Sequence, residues 1–377
     1  MHIRLTMTFC LAALAVSGAE RPQPGTVFEP RHAENFTIRY TESAKRITVR
    51  DPWAGAGDTS FTYVLPYEDQ AAPTADGGRI RELNPGRAIV TSTTFLPHFV
   101  ELGLVDRIVA VANHDHVNSA EIRRAIEDGA IAETGRGPAM NTEVAMALNP
   151  DAIFTSAVGE AGRDALPKLR ERDLPTVVTA SYMEASPLGR AEWIVFIGAF
   201  FDREKEAKAI FREIENAYNA IAEKTREIEA RPTVFVNVPW GGTWHMPGGD
   251  GYKAALLRDA GARYLWAEEK GAGSFSVDFE EVYRRAADAE YWLHAGSAAS
   301  IEELLAMDER FGRFKAVQTG NVYDHDRRVN EHGGNAIWER GVLHPEEVLA
   351  DLVKIFHPER VPDHEFVFYR KLTRERE

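Results

Sequence analysis

What most restricts the fold of this chain is a set of short, fully apolar runs that recur between helical stretches from Arg87 onward. Ala88-Ile89-Val90, Ile108 to Val111, Ala152 to Thr155 and Thr176 to Val178 show no alternation of polar and apolar residues. Such strands need cover on both faces, which implies a parallel sheet sandwiched by helices. The segments between them read as those helices: Phe95 to Leu104 stopped by Gly103, Ser119 to Asp128 capped by Ser119, Thr142 to Leu148, and Leu166 to Arg172. The pattern then returns. Val234 to Val238, Tyr291 to His294 and Asn321 to Tyr323 read as strands, and Tyr252 to Ala260, Phe279 to Ala286, Ile301 to Met307 and Pro345 to Phe356 as helices. Two Rossmann-like α/β lobes are therefore expected, over residues 86–182 and 230–377.

The region between the lobes, 183–229, is the longest helical stretch. Ala207, Ile210, Phe211, Ile214, Ala217, Tyr218, Ile221 and Ala222 keep a spacing of three or four residues, with charges between them. Counted as continuous, Glu206 to Ile228 is a rod of roughly 35 Å that Arg231-Pro232 stops. One long helix would hold two lobes at a fixed separation. Residues 20–85 follow a different period. Phe36, Ile38 and Tyr40, Ile47 and Val49, and Phe61, Tyr63 and Leu65 alternate between turns, predicting a small antiparallel β extension.

The N-terminus bears on the compartment. A basic start with Arg4, an apolar run from Leu5 to Val16 and the small residues Ser17-Gly18-Ala19 describe a cleavable signal peptide over residues 1–19. The run is too short to cross a bilayer. Phe9 precedes Cys10 where a lipid-attachment signal wants a small residue, so no lipid anchor is expected and the protein is placed in the periplasm. Cys10 is the sole cysteine, which rules out a disulfide framework and thiolate metal clusters. With 44 basic against 58 acidic residues and a net charge of −14, the chain lacks the basic footprint of a nucleic-acid binder.

In open parallel sheets, ligands sit beyond the carboxyl ends of the strands, so the loops there are where chemistry is expected. After the first lobe's strands come Thr93 and Phe95, and then Asn113-His114-Asp115-His116. After the second lobe's first strand, Trp240, Trp244 and His245 lie in a glycine-rich loop. Such a loop cannot bury two indoles locally, so both are expected to pack on a planar or conjugated ligand. Tyr252 opens the next helix. Beyond Tyr323 come His325, Arg327, Arg328, Asn330, His332 and Trp338. Arg327 and Arg328 either pair with Asp324 and Asp326 or offer planar forks to ligand oxygens. His114, His116, His245, His325 and His332 are candidate metal ligands, since neutral imidazole binds iron, nickel, copper and zinc. No phosphate loop, nucleophile elbow or zincin helix is present, and no nucleophile–base pair stands out, so no catalytic residues and no enzyme activity are expected.

Several of these segments resemble the bacterial periplasmic solute-binding proteins that serve ABC importers of ferric siderophores, haem and cobalamin. RAIVTSTTFLPHFVELGLVDRIVAVA resembles that family's opening strand–helix–strand, and NTEVAMALNPDAIFTS its stretch ending in Pro-Asp and an apolar strand. GYKAALLRDAGARYLW matches the second lobe's first helix, and GNAIWERGVLHPEEVLADLVKIFHPE the closing segment. The resemblance implies a rigid two-lobe receptor with its ligand in the cleft. It also implies a partner permease with its ATPase, peripheral contact with the inner membrane through that permease, and a monomeric state. Many members dock through one glutamate per lobe. Those positions fall here near Pro97-His98 and near Asp250 or Lys253, leaving Glu101 and Asp250 as the substitutes to examine. The expected ligand is an iron chelate, a siderophore complex or haem, with no permanent cofactor. The alternatives are cobalamin, a nickel- or zinc-type metal if three histidines converge, and more remotely a secreted metalloenzyme on the same scaffold.

Overall fold

The computed structural model describes residues 22–67, 80–82, 85–160, 162–296 and 298–374. The expected leader, with Cys10, lies outside them. Among the described residues no helix is long and apolar enough to cross a membrane.

The chain opens with a five-stranded sheet in sequential order: β1 (Val27–Phe28), β2 (Phe36–Tyr40), β3 (Ala44–Arg50), β4 (Ser60–Pro66) and β5 (Ile80–Glu82). The first four strands pair antiparallel, with Ile38 opposite Ile47 and Ile47 opposite Tyr63; β5 joins β4 in parallel. The alternating residues Phe36, Ile38, Tyr40, Ile47, Val49, Phe61 and Tyr63 are all buried, as the period of two requires of a sheet with one covered face.

The first lobe contains β6 (Ala88–Val90), α1 (Leu96–Glu101), β7 (Ile108–Val111), α2 (Ala120–Glu127), β8 (Ala132–Glu133), α3 (Thr142–Ala147), β9 (Ala152–Ser156), α4 (Leu166–Glu171) and β10 (Thr176–Thr179). Its all-parallel sheet has the order β10-β9-β6-β7-β8. The first expected helix begins instead as a 3-10 turn, Thr93–Phe95, before α1, and Gly103 in a left-handed conformation (φ 64°) ends it.

A helical hairpin replaces the single rod. α5 (Pro187–Phe200) and α6 (Glu204–Glu223) are joined by a turn in which Asp202 takes φ 55°. The long helix is present as α6, at twenty residues about 30 Å long, and ends before Ile228. The hydrophobic spacing carried no mark of the turn, because α5 is apolar nearly all round and buried along its length. α6 packs on α5 and on the last long helix of the second lobe.

The second lobe holds β11 (Thr233–Val236), β12 (Trp244–Pro247), α7 (Tyr252–Asp259), β13 (Arg263–Tyr264), β14 (Ser274–Val277), α8 (Phe279–Ala286), β15 (Tyr291–Leu293), α9 (Ile301–Met307), α10 (Lys315–Gln318), β16 (Val322–Asp324), α11 (Arg340–Leu343), α12 (Pro345–Phe356) and β17 (Arg370–Lys371). The main sheet runs β13-β11-β15-β16-β17, parallel except for β17. β11 and β15 stop earlier than expected because Asn237 (φ 67°) and His294 (φ 62°) turn left-handed at their ends.

The N-terminal sheet is clasped to the linker by two buried glutamates. Glu192 of α5 accepts the backbone N–H groups of Arg31, His32 and Ala33 at 2.9, 2.7 and 2.9 Å. Glu184 accepts those of Glu34 and Asn35 together with the Trp193 indole N–H. Removing a buried carboxylate strands several donors at once. Glu192→Ala is therefore expected to cost about 3 kcal/mol in urea unfolding and to make residues 22–67 the first site of trypsin cleavage. A loss near zero would show that the sheet is held by packing alone.

Candidate functional site

Both lobes present a crevice at the carboxyl ends of their strands. In the first lobe, a space of about 410 Å³ that includes open solvent is lined by Thr91, Ser92 and Thr93 after β6, by Asn113 and His116 after β7, and by Arg136 after β8. The Thr91 hydroxyl donates to Thr155 Oγ1 at 3.0 Å, and the Ser92 oxygen caps the turn that follows. This crevice is polar, with exposed Arg136 as its cation.

The second lobe's crevice is narrow, with about 20 Å³ of enclosed room beneath its open part, and is mostly apolar. Leu256 and Leu257 of α7, Val348 and Leu352 of α12, Ile337, Trp338 and Tyr252 line it, and Lys253, His294, His325 and Tyr369 bring polar atoms. His294 follows β15 and His325 follows β16, so each strand end delivers one imidazole. The rings lie 4.4 Å apart, tilted by 31°. His294 Nε2 is 2.9 Å from the Tyr369 hydroxyl. Burial, then the neighbouring His325 and Lys253, pushes His294 well below the ordinary histidine pKa and keeps it neutral. Tyr369 is held in turn by Asp351, which accepts the N–H groups of Val367, Phe368 and Tyr369 and faces His364 Nε2 at 2.6 Å.

One segment of the second lobe reaches across to the first. Glu339 accepts the N–H groups of Asn118 and Ser119, both at 2.7 Å, at the start of α2. A carboxylate from one lobe thus satisfies open backbone donors at a helix start in the other. Burial raises Glu339 to about 7 against those two donors. Asn330 Nδ2 donates to the carbonyls of Asp115 and Val117, and Asn118 Nδ2 donates to that of Gly334. A side chain at Gly334 would strike the His116 carbonyl, so the close approach requires glycine there. Farther along, Glu101 of α1 meets His344 at 3.1 Å and Arg340 at 3.4 Å.

Several expected site residues are placed elsewhere. Trp244 is fully buried, in ring contact with Phe235, Trp292, Phe311 and Phe314, and its indole donates to the Val236 carbonyl at 2.9 Å. The glycine-rich segment is half strand: β12 pairs with β14, so Trp244 and Met246 point inward and His245 points to solvent. Its glycines serve close backbone packing, since a Cβ on Gly248 or Gly249 would collide with the carbonyls of Gly271 or Ala267. Phe95 is also core. Asn330 is spent on the bridge between lobes, and Glu101 on Arg340 and His344, so neither offers a free side chain to a ligand or a permease.

The nominated histidines form no cage. Among the described residues, the one group of three side chains able to converge on an ion is His344, Glu346 and Glu347, none of them nominated. His332 lies beside Asp115 and Glu331, and His114 and His116 stay on the first lobe's loop. Arg327 and Arg328 are exposed and pair with neither aspartate; Asp326 takes Arg370 instead, at 2.7 Å. Asp250 is exposed, with Lys270 at 4.0 Å. Trp240 is 81% exposed at a turn tip and Trp338 is 38% exposed at the crevice. Tyr252, Trp338 and His325 therefore meet in one crevice, and Thr93 and His116 in the other. Lys253, His294 and Tyr369 were missed. The only signal for them was their position beside strand ends or a helix start.

Burial opposes the charge on His344, but its hydrogen bonds to Glu101 and Glu346 outweigh that and raise its pKa to about 9. A folded pKa above the unfolded value near 6.5 means a contribution complete below pH 6.5 and lost as pH rises through 9. His344→Gln is expected to cost about 2 kcal/mol in urea unfolding at pH 6 and well under half of that at pH 9.5. An equal cost at both values would separate the imidazole's charge from stability. Trp244→Ala is expected to lose about 3–5 kcal/mol by the same measurement.

Residues 89–329 match the model of a family described as periplasmic binding protein. An uncharacterized lipoprotein of Methanocaldococcus jannaschii is 28% identical over 254 residues, which cover 67% of this chain and 58% of that protein's length. An ABC transporter substrate-binding protein from Listeria monocytogenes shares the fold with a TM-score of 0.55 at 19% identity, over 73% of this chain and 99% of that one. A periplasmic haem-binding protein of Vibrio cholerae has a TM-score of 0.54 at 16% identity, over 70% and 98% of the two chains.

Proposed function

The chain belongs to the periplasmic binding protein family, and from that premise we propose that it captures a metal chelate, a ferric siderophore or haem, between its lobes and delivers it to an ABC permease and its ATPase. The observation that carries this reading is the pair of crevices at the strand ends of both lobes, with Tyr252 and Trp338 walling the apolar one. Aromatic faces and leucine side chains suit a conjugated organic body. A metal already wrapped by such a body needs no protein cage, in keeping with nominated histidines that do not converge. A receptor for a bare nickel or zinc ion would need them to. The cross-lobe bonds of Glu339 and Asn330 favour a receptor with little hinge motion, in which the ligand enters a cleft of nearly fixed width. Export to the periplasm rests on the leader, and release to a membrane partner follows from the transport role.

Tryptophan fluorescence titration with haem, ferric siderophores, cobalamin, Ni²⁺ and Zn²⁺ tests the reading. An iron chelate is expected to quench with a Kd below about 10 μM, near 7 kcal/mol. Trp338→Ala should weaken that binding about tenfold while leaving the fold intact. Tight binding of free Ni²⁺ or Zn²⁺ with no response to any chelate would overturn the proposal.

A further inference from the structure

The lining of the second lobe's crevice includes one lysine and two histidines but no carboxylate side chain. Lys253 stands in the first turn of α7, where the helix dipole disfavours a cation. Among the described residues it has no ion-pair partner, and its one marked contact is the Trp338 ring, whose centre lies 5.5 Å from the amine. The Arg190 guanidinium lies 4.2 Å from the centre of the Tyr252 ring, so a second cation stands at the adjacent residue. Arg190 donates through Nε and one terminal nitrogen to the carbonyls of Glu184 and Tyr182, and the Glu184 carboxylate attracts it without a contact ion pair among the described residues. In the same crevice the His294 and His325 rings lie against each other, tilted by 31°, and His294 Nδ1 is buried with no hydrogen-bond partner. Asp324 is turned to its neighbour His325, whose N–H it accepts at 2.7 Å.

Burial followed by the repulsion of Arg190 lowers Lys253 to about 8. A partly buried ammonium facing another cation destabilises the empty protein, and no carboxylate among the described residues pairs with it. Cation–π attraction to one ring is a partial compensation, without the directionality of a hydrogen bond. Such a position is what a site pre-set for a negative charge requires, because the ligand supplies the missing counter-ion.

Resting on the reading of this crevice as a ligand site, we propose that it receives an anionic oxygen group of the ligand, of the carboxylate or catecholate class, against Lys253, with Tyr252 and Trp338 flanking the organic body. The receptor then selects chelates by charge as well as by shape, and a chelate without net charge is the poorer ligand.

The test compares wild type with Lys253→Met and Lys253→Arg, using haem and a ferric triscatecholate as anionic probes and an uncharged ferric trihydroxamate as the neutral one. Lys253→Met is expected to weaken the anionic probe that binds by at least tenfold and the neutral probe by less than twofold, with Lys253→Arg restoring most of the difference. In the absence of ligand, Lys253→Met should melt at or above the wild-type temperature, since it removes an uncompensated charge. Equal losses for anionic and neutral probes, or a lower melting temperature for Lys253→Met, would overturn the charge assignment while leaving the transport reading standing. Failure of every chelate to bind wild type would sink both.

Discussion

Buried carboxylates that accept backbone N–H groups hold this molecule together at the points where its parts meet. Glu192 and Glu184 fasten the N-terminal sheet to the linker, Glu339 joins the two lobes, and Asp351 fixes the C-terminal strand segment. Each gathers two or more donors from a segment distant in sequence. A carboxylate in such a place is tolerable only because its lone pairs are filled, and the donors would be equally costly unpaired. The interaction is therefore mutual and rigid. Loss of either side leaves the other buried without a partner.

That device positions the candidate site. Asp351 holds Tyr369, Tyr369 meets His294, and His294 shares its crevice with His325 and Lys253. Glu339 follows Trp338 directly in the chain, so the residue that ties the lobes together also sets where one aromatic wall of the crevice stands. Rigidity between lobes and the shape of the crevice share one cause. Under the proposed reading, a receptor built this way meets its ligand with a cleft prepared in advance, which limits the ordering cost of binding.

The N-terminal sheet lies before the stretch that matches the family model. It is nonetheless continuous with the core: Phe36 contacts Trp193 and Phe196, and Tyr63 contacts Phe200 and accepts the Val178 N–H on its hydroxyl oxygen at 2.7 Å. Lys45 reaches the turn of the helical hairpin, bonding the Ala199 carbonyl and both Asp202 and Glu204. The sheet thus braces the hairpin that separates the lobes, at its base and at its turn.

The order of strands and helices was legible in the sequence because it depends on local periodicity. Fully apolar triplets such as Ala88-Ile89-Val90 have one solution, a strand covered on both faces, and the alternation at Phe36, Ile38 and Tyr40 has another. The strand-end location of the candidate site followed from that topology, and Tyr252, Trp338 and His325 were reachable by it. What only the tertiary structure decided was the fate of residues whose role depends on a partner far along the chain. Trp244 looked like a ligand contact until β14 supplied the second strand that turns it inward, and Asn330 and Glu101 looked free until the opposite lobe claimed them. Lys253 carries no local mark beyond its place at a helix start. The role proposed for it rests on the lack of an ion-pair partner among the described residues, and such a lack in three dimensions is not written in any one stretch of sequence.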